Sequence, residues 1–162
     1  MLFRSGSEMS DKPRKLLFFE DDYESLRDLK EHLELDRGWE ITLTAQASLL
    51  QDLAETRYDL VLVDLMIPPE SLDAQGNQVK NVHFEGVSWL QTGMEFLKRL
   101  RRGDFSTLEQ GTPPDVPVIV LSAVAHYSFE NVIPNGVPVP DYVEKPFRLG
   151  ELVARIEKAM QE

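Results

Sequence analysis

Four short apolar runs, each stopping abruptly on a polar side chain, constrain this chain more than any other feature. Leu16-Leu17-Phe18-Phe19 runs into Glu20-Asp21-Asp22, and Val61-Leu62-Val63 stops on Asp64. Val118-Ile119-Val120-Leu121 ends on Ser122, and Tyr142-Val143-Glu144 leads into Lys145-Pro146. Apolar runs of this length without alternation read as strands buried on both faces, the pattern of a parallel sheet covered by helices. The rim where such strands emerge is where α/β proteins place ligands and chemistry. The chain therefore brings a carboxylate, an acid pair, a hydroxyl and an ammonium to one edge of one sheet.

Helical patterns fill the gaps between these strands. Leu26, Leu29 and Leu33 recur at helical spacing after the first strand, Asp22 is placed to cap that helix, and Gly38 follows it. Trp39 to Leu43 alternates as a second strand. Ser48 with Gln51, and Thr92 with Glu95, have capping-box spacing and predict two further helix starts. The first would carry Leu49, Leu50, Leu53 and Ala54, the second Met94, Leu97 and Leu100, with Gly103 as its stop. Leu149, Leu152, Val153, Ile156 and Met160 predict a last helix. The expected fold is α/β, a doubly wound parallel sheet of five strands.

Composition narrows the functional classes. At 162 residues, 42% of them hydrophobic, the chain fits one domain with an ordinary core. Seventeen basic against 28 acidic residues give a net charge of −11, which argues against DNA or anionic membranes as direct partners. The one basic cluster, Lys98-Arg99-Leu100-Arg101-Arg102, reads as a solvated helix end. Without cysteine, disulfide and thiolate chemistry are excluded. Met1 to Lys15 has only Leu2 and Phe3 as large aliphatic or aromatic residues, and no run approaches a membrane span. A cytoplasmic protein is expected, with residues 1–14 as a flexible tail and 15–162 as the folded domain.

Each rim residue has an ordinary reading when taken alone. Asp64 could cap a turn, Asp22 a helix, Ser122 could be a turn hydroxyl and Lys145 a surface lysine. Their ordered arrival at the ends of successive strands is what points to chemistry. Clustered carboxylates repel one another unless a cation neutralises them. Oxygen ligands on a solvent-facing rim suit Mg²⁺, with Mn²⁺ as the alternative ion. A carboxylate nucleophile attacking phosphorus also needs the phosphoryl oxygens screened, work for which an ammonium and a hydroxyl are suited. Asp64 is the candidate nucleophile, and Lys145 and Ser122 are its catalytic partners.

These residues resemble the receiver domain of two-component response regulators. The resemblance spans Lys15 to Gln161 and rests on Phe18-Phe19-Glu20-Asp21-Asp22, Val63-Asp64-Leu65-Met66-Ile67-Pro68, Val120-Leu121-Ser122-Ala123 and Asp141-Tyr142-Val143-Glu144-Lys145-Pro146-Phe147. It implies the flavodoxin-like strand order 2-1-3-4-5. It implies that Asp64 accepts a phosphoryl group from a histidine kinase or a histidine phosphotransfer protein. Glu20, Asp21, Asp64 and the Met66 carbonyl would hold the metal, and Tyr142 would be the switch aromatic that rotates inward. A cis peptide is implied at Lys145-Pro146.

The chain departs from that family in three places. Pro68 and Gly93 are separated by an insertion, residues 69–91, that predicts either a loop folded back over the adjacent helix or a lid beside Asp64. His83 within it reads as an ordinary surface histidine. Pro134, Gly136, Pro138 and Pro140 leave room for one or two helical turns around Ser128 to Ile133, which puts the family's usual dimer in question. No output module follows the receiver pattern, so a stand-alone protein signalling to an unidentified downstream protein is expected. Two other readings remain open at this stage. One is a Mg²⁺-dependent phosphohydrolase with an aspartyl-phosphate intermediate, although Asp64-Leu65-Met66 lacks the second acid of Asp-x-Asp hydrolases. The other is an unphosphorylated interaction module. The favoured reading is a phosphoacceptor rather than an enzyme with a separate substrate.

Overall fold

The computed structural model describes residues 12–73, 75–107, 109–123 and 140–161. Strands β1 (Lys15–Phe19), β2 (Glu40–Thr44) and β3 (Leu60–Asp64) alternate with helices α1 (Tyr23–Arg37) and α2 (Leu49–Glu55). Two short strands, β4 (Glu70–Leu72) and β5 (Gln78–Lys80), come next, followed by α3 (Thr92–Arg102), β6 (Val118–Ser122), β7 (Asp141–Glu144) and α4 (Leu149–Ala159). The main sheet runs β2-β1-β3-β6-β7 with every neighbour parallel. This is the expected order, with β6 and β7 as the fourth and fifth strands.

Alternation along each strand builds two cores. Leu17, Phe19, Val61, Val63, Val118 and Val120 face α2 and α3, where they meet Leu49, Leu53, Phe96, Leu97 and Leu100. Leu16, Phe18, Leu60, Leu62, Ile119 and Leu121 face α1 and α4, against Leu26, Leu29, Leu33, Leu152 and Ile156. Successive side chains point to opposite faces, so a strand covered on both sides is apolar throughout. Full burial of each Leu, Val or Phe contributes about 1.5–3 kcal/mol, which fixes the sheet and hence its rim.

The helix ends follow the sequence only in part. Asp22 caps α1 by accepting from the Ser25 N–H, and Gly38 closes it at φ 68°. Gly103 ends α3 in the same left-handed conformation, at φ 87°. Neither expected capping box forms. Ser48 is already helical and makes no side-chain cap, while Gln51 donates to Glu55. Thr92 is also inside its helix, because a 3₁₀ turn, Trp89–Gln91, leads directly into α3 and the Trp89 carbonyl accepts the Thr92 N–H. The second strand begins one residue later than expected, at Glu40.

The insertion is not a plain loop. β4 and β5 pair as an antiparallel hairpin, and Val82 and Phe84 are buried in the α2–α3 core. Phe84 also lies under the Arg99 guanidinium, 4.3 Å from carbon to ring centroid. The fold-back reading thus holds for residues 82–84, whereas Trp89 and Leu90 remain exposed. The basic cluster is not simply solvated either: Arg99 pairs with Glu95, and Arg101 donates to the Pro114 and Val116 carbonyls. The helical turns expected near Ser128–Ile133 and the tail up to residue 11 lie outside the described residues. Among the described residues, no helix is long and apolar enough to cross a membrane.

Candidate functional site

Three carboxylates converge where β1 and β3 leave the sheet. One oxygen each from Glu20, Asp21 and Asp64 lies within 4.8 Å of the others. Parallel registration makes this unavoidable: Phe19 pairs with Val63, so the residues that follow, Glu20 and Asp64, emerge side by side. Glu20 is fully buried, Asp64 is 6% exposed, and Asp21 is half-buried at the mouth.

Lys145 closes the cluster from the far side of the sheet. Its Nζ donates to Glu20 Oε1 at 2.6 Å and to Asp64 Oδ2 at 3.1 Å. The side chain reaches the acids because the Lys145 N–H donates to the Ser122 carbonyl at 2.9 Å, which pins the start of the β7–α4 loop against the end of β6. The Lys145-Pro146 peptide is cis, as the sequence resemblance implied. Asp64 Oδ1 is held separately, accepting the Met66 N–H at 3.1 Å.

Ser122 is buried at the end of β6, one residue beyond Leu121, the register partner of Asp64. Tyr142 sits in β7 opposite Val120 with its ring inside the α2–α3 core, 7% exposed. Met66 is half-buried on the loop that leaves β3. His83 is exposed. Of the residues singled out in the sequence, Glu20, Asp21, Asp64 and Lys145 are in contact at one end of the sheet, Met66 and Ser122 lie beside them, and Tyr142 sits one step inside the sheet.

Burial and mutual repulsion govern the electrostatics of the cluster. Burial pushes the Glu20 carboxyl up to about 9, reinforced by its hydrogen bond with Asp64 and by repulsion from that carboxylate. Burial also raises Asp21, with Asp64 adding repulsion. Burial works against the Lys145 ammonium, but attraction to Glu20 and Asp64 more than offsets it and holds Lys145 above its ordinary value. The Lys145 ammonium touches Glu20 and Asp64 but, among the described residues, makes no hydrogen bond to Asp21. A hard divalent cation is the group that such an all-oxygen set is suited to bind.

Two supports of the site were not legible as such. Gly93 lies against the end of β3: a Cβ there would come 2.3 Å from the Asp64 carbonyl oxygen and 2.5 Å from Leu65 Cα. Its N–H donates to the Leu65 carbonyl at 2.9 Å, and the neighbouring Thr92 hydroxyl donates to the Ile67 carbonyl at 3.3 Å. A glycine 25 residues beyond Pro68 gives no local sign of such a contact.

No protein-family model matches the chain. Among curated proteins it is 32% identical over 148 residues to the transcriptional regulatory protein YkoG of Bacillus subtilis, covering 91% of this chain and 51% of that protein. It is 28% identical over 147 residues to the transcriptional regulatory protein CpxR of Escherichia coli, covering 91% and 49%. A CheY-like receiver domain from Methanospirillum hungatei superposes with a TM-score of 0.62 at 19% identity, over 92% of this chain and 94% of that one. The receiver domain of the sensor kinase PA1611 from Pseudomonas aeruginosa, which carries magnesium in its active-site cleft, gives 0.60 at 22% identity, over 93% and 100%.

In sequence the chain is similar to response regulators, and its fold is that of their receiver domains. The chain spans about half the length of the curated relatives it matches. Those relatives are transcriptional regulators, so the receiver accounts for one part of proteins of that kind.

Proposed function

We propose that this receiver takes a phosphoryl group on Asp64 from a histidine kinase or a histidine phosphotransfer protein and passes the signal on through protein contacts. The observation that carries this reading is the contact of one ammonium, Lys145, with both Asp64 and Glu20 inside a three-carboxylate cluster.

In the reaction an Asp64 carboxylate oxygen attacks phosphorus while the bond from phosphorus to the donor histidine nitrogen breaks. The nitrogen keeps that electron pair, and Asp64 becomes an acyl phosphate. Glu20, Asp21, Asp64 and the Met66 carbonyl are the residues to hold Mg²⁺, which when bound supplies charge neutralisation for the phosphoryl oxygens. Lys145 offers a fixed positive charge to the same oxygens, and the Ser122 hydroxyl is the donor that follows the phosphoryl group. Tyr142 is the switch aromatic, which reads the state of the rim from its place in β7. Receiver domains are phosphoacceptor signalling modules, and this reading needs no other substrate.

The test is intact mass after incubation with Mg²⁺ and acetyl phosphate or phosphoramidate. One phosphoryl group should be gained by the native chain and none by Asp64→Asn. Labelling that persists in Asp64→Asn, or that ignores removal of the metal, overturns the assignment.

A further inference from the structure

The β4–β5 hairpin is the feature that this reading leaves unexplained. It is anchored at its base and projects beside the acids. The Asn81 N–H donates to the Pro69 carbonyl at 2.8 Å, while the Asn81 side-chain amide donates to the Pro68 carbonyl and to the Ser71 hydroxyl, both at 2.9 Å. The chain then runs antiparallel to the segment after β2: the Ala47 N–H donates to the Lys80 carbonyl, and the Val82 N–H to the Ala45 carbonyl. At the tip, Asp73 Oδ1 accepts the N–H groups of Gln75 and Asn77, and Gly76 takes φ 84°. Hydrogen bonds among the described residues thus tie the hairpin at its base and across its turn.

That tip shares a cavity with the metal-binding loop. Leu72, Asp73 and Gln75 form one wall, and Asp21, Asp22 and Tyr23 belong to the opposite side, around about 710 Å³. The cavity meets the acid cluster at Asp21 rather than at Asp64, and its volume, in the range of small-ligand pockets, about 300–1,000 Å³, leaves a small acyl phosphate room beside the hairpin. A protein donor meets a different constraint. A specific protein interface covers about 800 Å² on each partner, so a footprint centred on Asp64 overlaps a hairpin that borders Asp21. The donor must fit the turn, and covering Leu72, which is 61% exposed, favours a partner that meets it with an apolar surface.

We propose that the β4–β5 hairpin is a donor-selectivity element: it excludes protein phosphodonors whose surface does not fit it, and lets small phosphodonors pass. Specificity is a difference of affinities, and an obstacle at the Asp21 side of the site lowers the affinity of mismatched partners without touching the chemistry. The inference rests on Asp64 being the phosphoacceptor.

Two variants test it. In one, residues 72–78 are replaced by a two-residue Asn-Gly turn; in the other, Leu72→Ala is combined with Gln75→Ala, which keeps the Asp73 and Asn81 hydrogen bonds. Each is compared with the native chain for labelling by acetyl phosphate and for transfer from a panel of purified, autophosphorylated histidine kinases. Acetyl phosphate labelling should stay within about twofold of native, while several kinases that transfer poorly to the native chain gain about tenfold with the trimmed hairpin and less with the double variant. Kinase rates that all stay within about twofold, or that fall, overturn the hairpin's role. If trimming also abolishes acetyl phosphate labelling, the double variant decides on the same criteria. Absence of acetyl phosphate labelling on the native Asp64 overturns the phosphoacceptor reading instead, so the two failures are distinct.

Discussion

At Asp21 the site meets solvent, and under the proposed function this half-buried carboxylate serves metal binding more than folding. Removing it leaves Lys145 bound to Glu20 and Asp64 but takes away one of the three clustered carboxyl groups. Mg²⁺ at millimolar concentration should raise the thermal midpoint of the native chain through mass action, and should raise it much less in Asp21→Ala. Equal shifts in the two proteins, measured by calorimetry, would count against the site. Under the proposed function, residue 66 bears on how long an Asp64 acyl phosphate lasts. Hydrolysis needs an oriented water, and the two receiver positions that flank its path hold Met66 and Val124 here, neither of which can hold a water by a strong hydrogen bond. Val124 lies outside the described residues. Slow self-dephosphorylation is expected, with Met66→Asn and Val124→Glu together accelerating decay about tenfold or more. The decay of radiolabelled protein checks this; an unchanged rate would shift attention to the hairpin. The polar rim residues were legible in the sequence because each ends a run whose burial is unmistakable. The sharing of one ammonium between Glu20 and Asp64 was not, since it depends on a loop anchored to Ser122.

Among the elements, α3 is tied directly to the backbone at the end of β3. Its start packs on the backbone of Asp64 and Leu65 through Gly93, and backbone atoms cannot rotate away from an added methyl. Gly93→Ala should destabilise the fold by about 2–3 kcal/mol, as overpacking does, and should slow phosphorylation by displacing Asp64. Gly150→Ala is the comparison: nothing lies within 4 Å of a Cβ there, and the position is in α4, so it should be neutral or stabilising by about 0.5–1 kcal/mol. Urea unfolding midpoints for the two variants should move in opposite directions or leave Gly150→Ala unchanged; similar losses in both would refute the contact argument. The helix starts show where local reading fails. Thr92 and Glu95 have capping-box spacing, but the preceding 3₁₀ turn already satisfies the Thr92 N–H, freeing the hydroxyl for Ile67 and Glu95 for Arg99.

For the whole molecule, the buried Glu20 couples the site to stability. Its carboxyl is raised from 4.5 to about 9 in the metal-free fold, first by burial and then by Asp64. The native state therefore keeps a proton that the unfolded chain releases, and stability from this group is full below about 4.5 and declines as pH rises through about 9. In EDTA the urea midpoint should fall between about pH 5 and pH 9. Glu20→Gln cannot titrate and should show a shallower decline, while parallel profiles would refute the linkage. Mg²⁺ competes with that proton, so its stabilising effect on the native chain should grow with pH over the same window.

The sequence by itself determined the parallel sheet, its doubly wound helices and the rim where Glu20, Asp64, Ser122 and Lys145 gather. Strands buried on both faces leave an uninterrupted apolar record, and parallel registration brings their ends together. Only the tertiary structure decided the shape of residues 69–91. β4 and β5 are three residues each, with exposed ends and half-buried centres, too short for a periodic signal. Their position comes from hydrogen bonds to Ala45 and Ala47, partners more than 30 residues away, and pairing at that distance leaves no local trace.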